Sequence, residues 1–365
     1  MPDINSSEER RHVLLNEITS TVTSVVISLQ FGCAQCHDHK YDSISQADFY
    51  RLRAFFDASV DLKKNKSVSV LTALTDAPMS RVMLRGDWRR PGPTVAAAYP
   101  RLLNAADASP DENVGLRRSL ANWLTSSSHP LTARVIVNRV WQQHFGRGLS
   151  TTPSDFGIMG ESPTHPKLLD FLADQLMREG WSLKWLHRKI LMSSTYQTRS
   201  TRPSDAVQRR HWDRALEIDP ENRLLNHFPR RRLSAEAIRD GLFCVSETLN
   251  YEMGGPGVSP PLPTEMINTL KSGQWKQTPS VSDHYRRSVY IFARRNLRYP
   301  FFATFDRPSA DQPCSRRDRS TTAVQSLMLL NSDLTWDAAS RLAEAVATSG
   351  STPKTQVNEL YRRLY

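Results

Sequence analysis

The chain has 365 residues, of which 39% are hydrophobic and eight are tryptophan, so it can bury a large core and fits two domains or one with a long excursion. Its net charge of +11 favours an acidic partner or surface, yet no helix-turn-helix, zinc-finger or ribonucleoprotein signature accompanies the charge, and nucleic acid is not expected. The longest apolar run, Val25-Val26-Ile27, is hemmed in by Thr23, Ser24, Ser28 and Gln30, which excludes a membrane span.

In chain order, residues 7–29 carry Leu14, Leu15, Ile18, Val22, Val25, Val26 and Leu29 at helical spacing. They predict one helix capped by Ser6 or Ser7, with Glu8 and Glu9 in its first turn. Gly32 breaks it, and a loop from Cys33 to Asp42 follows. Ser45-x-x-Asp48 has the form of a capping signal for a helix to Asp57, with Phe49, Leu52, Phe55 and Phe56 on one side. Residues 68–74 and 81–84 read as short strands among Gly86, Pro91, Gly92 and Pro93. Helices are then expected over 116–125, 131–145, 166–179 and 183–198, with Pro130 at the start of the second.

Residues 200–220, polar and rich in Arg and Asp, read as a linker. A helix over 233–249 starts at Ser234, and the proline-rich stretch 254–282 reads as a long loop. Residues 288–293 read as a strand, and 321–330 and 336–347 as helices. The fold class is therefore mainly α, a multi-helix globular chain with a small β insertion near 60–110 and a short strand near 288–293. Three segments are expected: 1–58 with the cysteine loop, 59–112 as a β-containing connector, and 113–365 as a helical domain that stops inside an amphipathic pattern.

The loop reads Cys33-Ala34-Gln35-Cys36-His37-Asp38-His39-Lys40-Tyr41-Asp42. Cys33-x-x-Cys36-His37 has the form of a c-type haem attachment site. Each sulfur would join one vinyl group, and His37 would ligate iron as the proximal ligand. Three other readings stay open. Zinc or another metal could be held by Cys33 and Cys36 with His37 or His39, though no second local pair supplies a closing ligand. A thioredoxin-like redox pair would need a strand upstream, where helix is expected. A plain disulfide or two buried thiols would need no cofactor.

Asp38 and Asp42 are candidates for a carboxylate behind His37 or His39. A distal iron ligand would come from another element, with His144 the first candidate and Met159, His165 and His187 behind it. Asp155 and Asp306 fit turn or cap bonds as well as acid catalysis. Cys244, on an apolar helix face, and Cys314, in a loop, could pair. The late arginines, Arg286, Arg287, Arg294, Arg295, Arg298, Arg307, Arg316, Arg317 and Arg319, suit internal carboxylate pairs on a basic face, or an acidic polymer as partner.

Several longer strings carry a resemblance. Gly32 to Asp42 with Ile44-Ser45-Gln46 and Phe49-Tyr50 resembles the end of a planctomycete-specific cytochrome-type domain. Asn138-Arg139-Val140-Trp141, His144 to Leu149, and Pro153-Ser154-Asp155-Phe156-Gly157 resemble the start of its companion domain. Arg231 to Asp240, Phe305-Asp306 and Thr321 to Leu327 resemble its later part. Ser43 and Ser326 depart from the usual proline and alanine. The resemblance implies an exported protein, periplasmic or at the cell surface, often fused to an upstream cytochrome c module. It assigns no catalytic activity. The first twelve residues hold five charged side chains and no apolar stretch, so the chain is expected to be a fragment of such a protein. The leading functional expectation is a haem-binding electron-transfer or redox protein. A binding or scaffold module for an acidic polymer is the alternative.

Overall fold

Ser6 accepts a hydrogen bond from the Glu9 backbone N–H at 3.0 Å and starts α1, Ser7–Val22. The expected single helix does not run on to residue 29. Thr19 and Thr23 turn their hydroxyls back onto the carbonyls of Leu15 and Thr19, and Thr23–Ile27 relaxes into a π-helical turn. Ser28 then takes a left-handed conformation at φ 52° and ends it. A 3₁₀ turn, Phe31–Gln35, leads into the cysteine loop. The capping box of Ser45 and Asp48 starts α2, Gln46–Asp57, as expected. Phe49, Tyr50, Leu52, Phe55 and Phe56 of α2 pack with Leu15, Ile27, Leu29 and Phe31 in one core.

The computed structural model describes residues 6–58, 79–103, 109–271, 273–294, 297–311, 313–348 and 352–365. The expected strand at 68–74 lies outside these. The second expected strand is β1, Arg81–Met83, antiparallel to β2, Pro91–Thr94, with a register irregularity between Arg81 and Met83. These two make the only sheet among the described residues, and the fold is mainly helical.

Helices α3 (Leu116–Leu124), α4 (Thr132–Phe145), α5 (Pro166–Arg178) and α6 (Leu183–Leu191) follow. Val137, Trp141 and Phe145 of α4 pack with Leu169, Leu172, Leu176, Leu186 and Ile190 as a second core. The stretch expected as a linker instead forms α7, Ala206–Ile218, which buries none of its residues. Asp205 caps it by accepting from the backbone of Val207 and Gln208, so local bonds hold a helix that no apolar stripe announces.

By internal contacts the chain divides into Met1–Arg230 and Arg231–Tyr365. The second unit holds α8 (Ala235–Val245), the short turns α9 (Thr264–Ile267), α10 (Val281–His284) and α11 (Pro300–Thr304), then α12 (Ala323–Asn331), α13 (Asp333–Ala347) and α14 (Pro353–Leu364). Its core joins Ala235, Val258, Ile291, Phe301, Phe302 and Phe305. Residues 288–293 are not a strand. Ser288–Tyr290 is a 3₁₀ turn, because the Ser288 N–H and hydroxyl both bond to Asp240, and Ile291 keeps only a single bridge to Val258. No helix among the described residues is long and apolar enough to cross a membrane.

Candidate functional site

Gln35, inside the cysteine motif, explains how the loop is presented. Its side-chain oxygen accepts from Asn16 Nδ2 at 3.1 Å, and its Nε2 donates to Ser20 Oγ at 3.3 Å. Its backbone carbonyl accepts from Gln46 Nε2 at 2.9 Å and from the Tyr50 hydroxyl at 3.0 Å. The turn is thus tied from behind to both α1 and α2. With Gln35 and Ala34 facing inward, Cys33 and Cys36 are left exposed as unpaired thiols. The disulfide and buried-thiol readings therefore do not describe the structure.

Behind Gln35 lies a buried polar group. Arg53 Nη1 donates to Asn16 Oδ1 at 3.0 Å and lies 3.0 Å from His12 Nδ1, while Asn16 Nδ2 lies 3.0 Å from His12 Nε2. Burial, then the Arg53 charge, pushes the pKa of His12 down to about 4. Sequence reasoning missed Asn16, Gln35, Arg53 and Tyr50. Polar residues at helical spacing behind an apolar stripe were the available signal. Gln35→Ala is expected to lose about 1–2 kcal/mol through its two side-chain bonds, measured as a lower urea midpoint. A variant as stable as the parent would remove Gln35 as the anchor.

His37 is exposed, and its Nδ1 donates to the backbone carbonyl of Asp38 at 2.7 Å. A carbonyl only accepts, so Nδ1 carries a proton, and in the neutral imidazole Nε2 is the nitrogen with the lone pair. No partner of Nε2 is found among the described residues. The group behind the ring is thus a carbonyl and not either expected carboxylate. Asp38 Oδ1 instead accepts from the Gln46 backbone N–H at 2.7 Å, at the start of α2. His39 is turned inward, where its Nδ1 accepts from the Asp42 N–H at 2.9 Å and lies 3.4 Å from Asp42 Oδ2. Among the described residues no group of three or more His, Cys, Asp or Glu is placed to hold a metal ion. Cys33, Cys36, His37 and His39 are not gathered into a closed zinc-type site.

The loop is also bonded to residues far along the chain. Buried Asp42 accepts from the Ile158 N–H at 2.8 Å, and Gly157 presses on the same carboxylate. Ser28 Oγ donates to the Pro153 carbonyl at 2.8 Å, Gln30 Nε2 to the Ser154 carbonyl at 2.7 Å, and the Phe156 N–H to the Ser28 carbonyl at 2.6 Å. The Pro153–Gly157 string is therefore a docking loop for both flanks of the cysteine motif. Asp155 closes its own turn by accepting from the Gly157 N–H at 3.0 Å. Asn138 clasps Ser150 with two bonds at 2.9 and 3.0 Å.

His144, the first distal candidate, is turned toward His187, with Nε2 to Nδ1 at 2.8 Å and its ring edge-on to Tyr196. Met159 is exposed, and His165 bonds to Thr164. In the second unit Asp306 accepts from Ser320 N–H, Ser320 Oγ and Arg232 Nη2 at 2.7, 2.9 and 2.6 Å. The Ser320 backbone N–H and hydroxyl and the Arg232 guanidinium hold its carboxyl below the usual range. Glu236 pairs with Arg317 at 2.9 Å and Arg307 at 3.5 Å. Of the late arginines, Arg307 and Arg317 are thus paired with a carboxylate, and Arg295 lies outside the described residues. Cys244 and Cys314 are both exposed and unpaired. Helix α8 buries Phe243, which turns Cys244 about 100° away toward solvent.

Among family models, PSD1, described as a protein of unknown function (DUF1553), matches residues 116–365. PSCyt2, described as a protein of unknown function (DUF1549), matches residues 2–61. Searches of the curated proteins and of the solved structures found no match.

Proposed function

Because this chain belongs to the PSD1 family and carries a PSCyt2 segment ahead of it, we propose that the Cys33–His37 loop attaches a c-type haem and serves electron transfer or another redox role. One observation carries the reading. Two unpaired, exposed thiols on one turn are followed by an imidazole whose Nδ1 is spent on a backbone carbonyl and whose Nε2 is open. That is the donor set and tautomer that thioether attachment and iron ligation through Nε2 require. When bound, the haem would supply a one-electron iron centre.

The chain's own residues do the rest. Cys33 and Cys36 offer the sulfurs, and the four bonds of Gln35 fix the turn that spaces them. Asp38 holds the His37 ring through its carbonyl, and Gly86, pressed against Cys36 Sγ, leaves that sulfur room. Exposed Leu84 and Tyr41 give apolar surface at the margin of the loop. The reading entails export, since thioether attachment is completed outside the cytoplasm. An upstream cytochrome c module is the electron partner it favours.

The test is pyridine-haemochrome analysis of the full chain, exported in a host that assembles c-type cytochromes and extracted with acid acetone. Wild type is expected to retain haem covalently. Cys33→Ser or Cys36→Ser should keep one thioether, the double variant none, and His37→Ala should keep both but change the spin state. Absence of covalent haem in wild type, beside a control cytochrome that acquires it, would overturn the proposal.

A further inference from the structure

In the second unit lies a cavity of about 280 Å³ lined by Arg294, Arg298, Arg307 and Arg317. That volume lies just under the roughly 300–1,000 Å³ of ordinary small-molecule pockets, so its ligand is small. The floor is apolar, with Leu297, Tyr299 and Phe302, and the Arg307 guanidinium lies 4.8 Å over the Phe302 ring. Charge is out of balance there. Glu236 contacts Arg307 and Arg317, but Arg294 and Arg298 have no carboxylate partner among the described residues. Asp311, near the rim, is hydrogen-bonded by Ser309.

Arg307 and Arg317 share one carboxylate and repel one another, and that repulsion is relieved when an anion enters. Burial lowers the pKa of Arg307, Glu236 draws it back up, and neighbouring Arg317 lowers it again, as expected where one carboxylate serves two cations. Guanidinium forks match the oxygens of phosphate and sulfate in pairs, which a single lysine-type charge does not. We infer that this arginine-walled cavity binds a compact oxyanion, a phosphate or sulfate group, carried on a small ligand whose apolar part rests on Tyr299 and Phe302. The inference is independent of the haem reading, because it uses residues of the other unit.

Cys314 lines the same cavity and is exposed, which provides a built-in probe. Iodoacetamide alkylation of the full chain would be followed by peptide mass spectrometry, with inorganic phosphate, inorganic sulfate, phenyl phosphate or chloride at matched ionic strength. Phosphate or sulfate should slow labelling of Cys314 severalfold while Cys244 labels at an unchanged rate, and the stronger of the two identifies the headgroup. Phenyl phosphate should protect at lower concentration than phosphate because its ring rests on Tyr299 and Phe302, and no gain over phosphate would overturn the apolar half of the inference. In Arg294→Ala/Arg298→Ala, the concentration needed for protection should rise about tenfold or more, as for the loss of charge-assisted bonds. Equal protection by chloride, or undiminished protection in the double variant, would overturn the inference. If the variant does not fold, the contrast between oxyanions and chloride in wild type decides alone.

Discussion

Acidification from pH 7 to pH 4.5 is expected to cost the Met1–Arg230 unit several kcal/mol of stability, chiefly through His12 and His129. Both are buried, and both have a pKa pushed down to about 4, in His12 by burial and Arg53, in His129 by burial alone. His129 Nδ1 accepts from the backbone N–H groups of Leu131 and Thr132 at 3.3 and 3.2 Å, capping the start of α4. A proton on that nitrogen would set donor against donor. The unfolded chain takes up its protons near 6.5 while the folded chain stays neutral. Stability therefore starts to fall as the pH drops below 6.5, and the loss is complete only below the folded value, near 4. Each depression corresponds to roughly 3 kcal/mol at its full extent. Asp57, whose pKa burial pushes up, binds its proton more readily in the folded state and offsets part of the loss. Urea midpoints across this range should fall steeply for wild type. They should fall less for His129→Asn, which keeps a capping oxygen, and for His12→Gln. Parallel curves for all three proteins would remove these histidines as the cause.

Helix α2 was legible in the sequence because its signals are local: a capping box at its start and four apolar side chains, Phe49, Leu52, Phe55 and Phe56, on one side. The same holds for the position of the cysteine loop and for α4. What escaped was fixed at long range. The left-handed Ser28 and the π turn before it are held by Pro153 and Phe156, more than a hundred residues on, and no periodicity near Ser28 reports them. The stretch at 288–293 has the β-branched and aromatic residues of a strand, but Asp240 captures Ser288 and turns the backbone. Asp38 and Asp42 were recognised as partners of the loop, yet which bonds they make depends on the α2 start and on Ile158. The family strings proved informative in a different sense from the one expected. Asn138, Asp306 and Arg232 through their side chains, and Pro153 through its backbone carbonyl, are joints of the framework, and Asp155 and Asp306, for which acid catalysis had been one reading, make turn and framework bonds.

Gly157→Ala is expected to destabilise the cysteine loop by about 1–3 kcal/mol, the usual range for forced overpacking. A Cβ at Gly157 would lie 2.5 and 2.6 Å from the Asp42 carboxylate oxygens and 2.8 Å from its Cγ. Its backbone conformation is not left-handed, so alanine suffers only from the contact. A carboxylate on an exposed stem would swing away cheaply. Asp42 is buried, and its Oδ1 is held by the Ile158 N–H while Oδ2 faces His39. Asp42→Ala removes the obstacle but leaves the Ile158 N–H without its acceptor, a loss of about 1–3 kcal/mol by itself. The two changes should therefore be strongly non-additive, the double variant losing little more than Asp42→Ala alone. Urea unfolding of the four proteins measures the coupling. Alkylation rates of Cys33 and Cys36 should rise in each variant, because the clamp holds the loop that presents them. Additive losses, or a Gly157→Ala protein as stable as wild type, would mean that the carboxylate yields freely and that the Pro153–Gly157 loop is not what holds the cysteine motif in place.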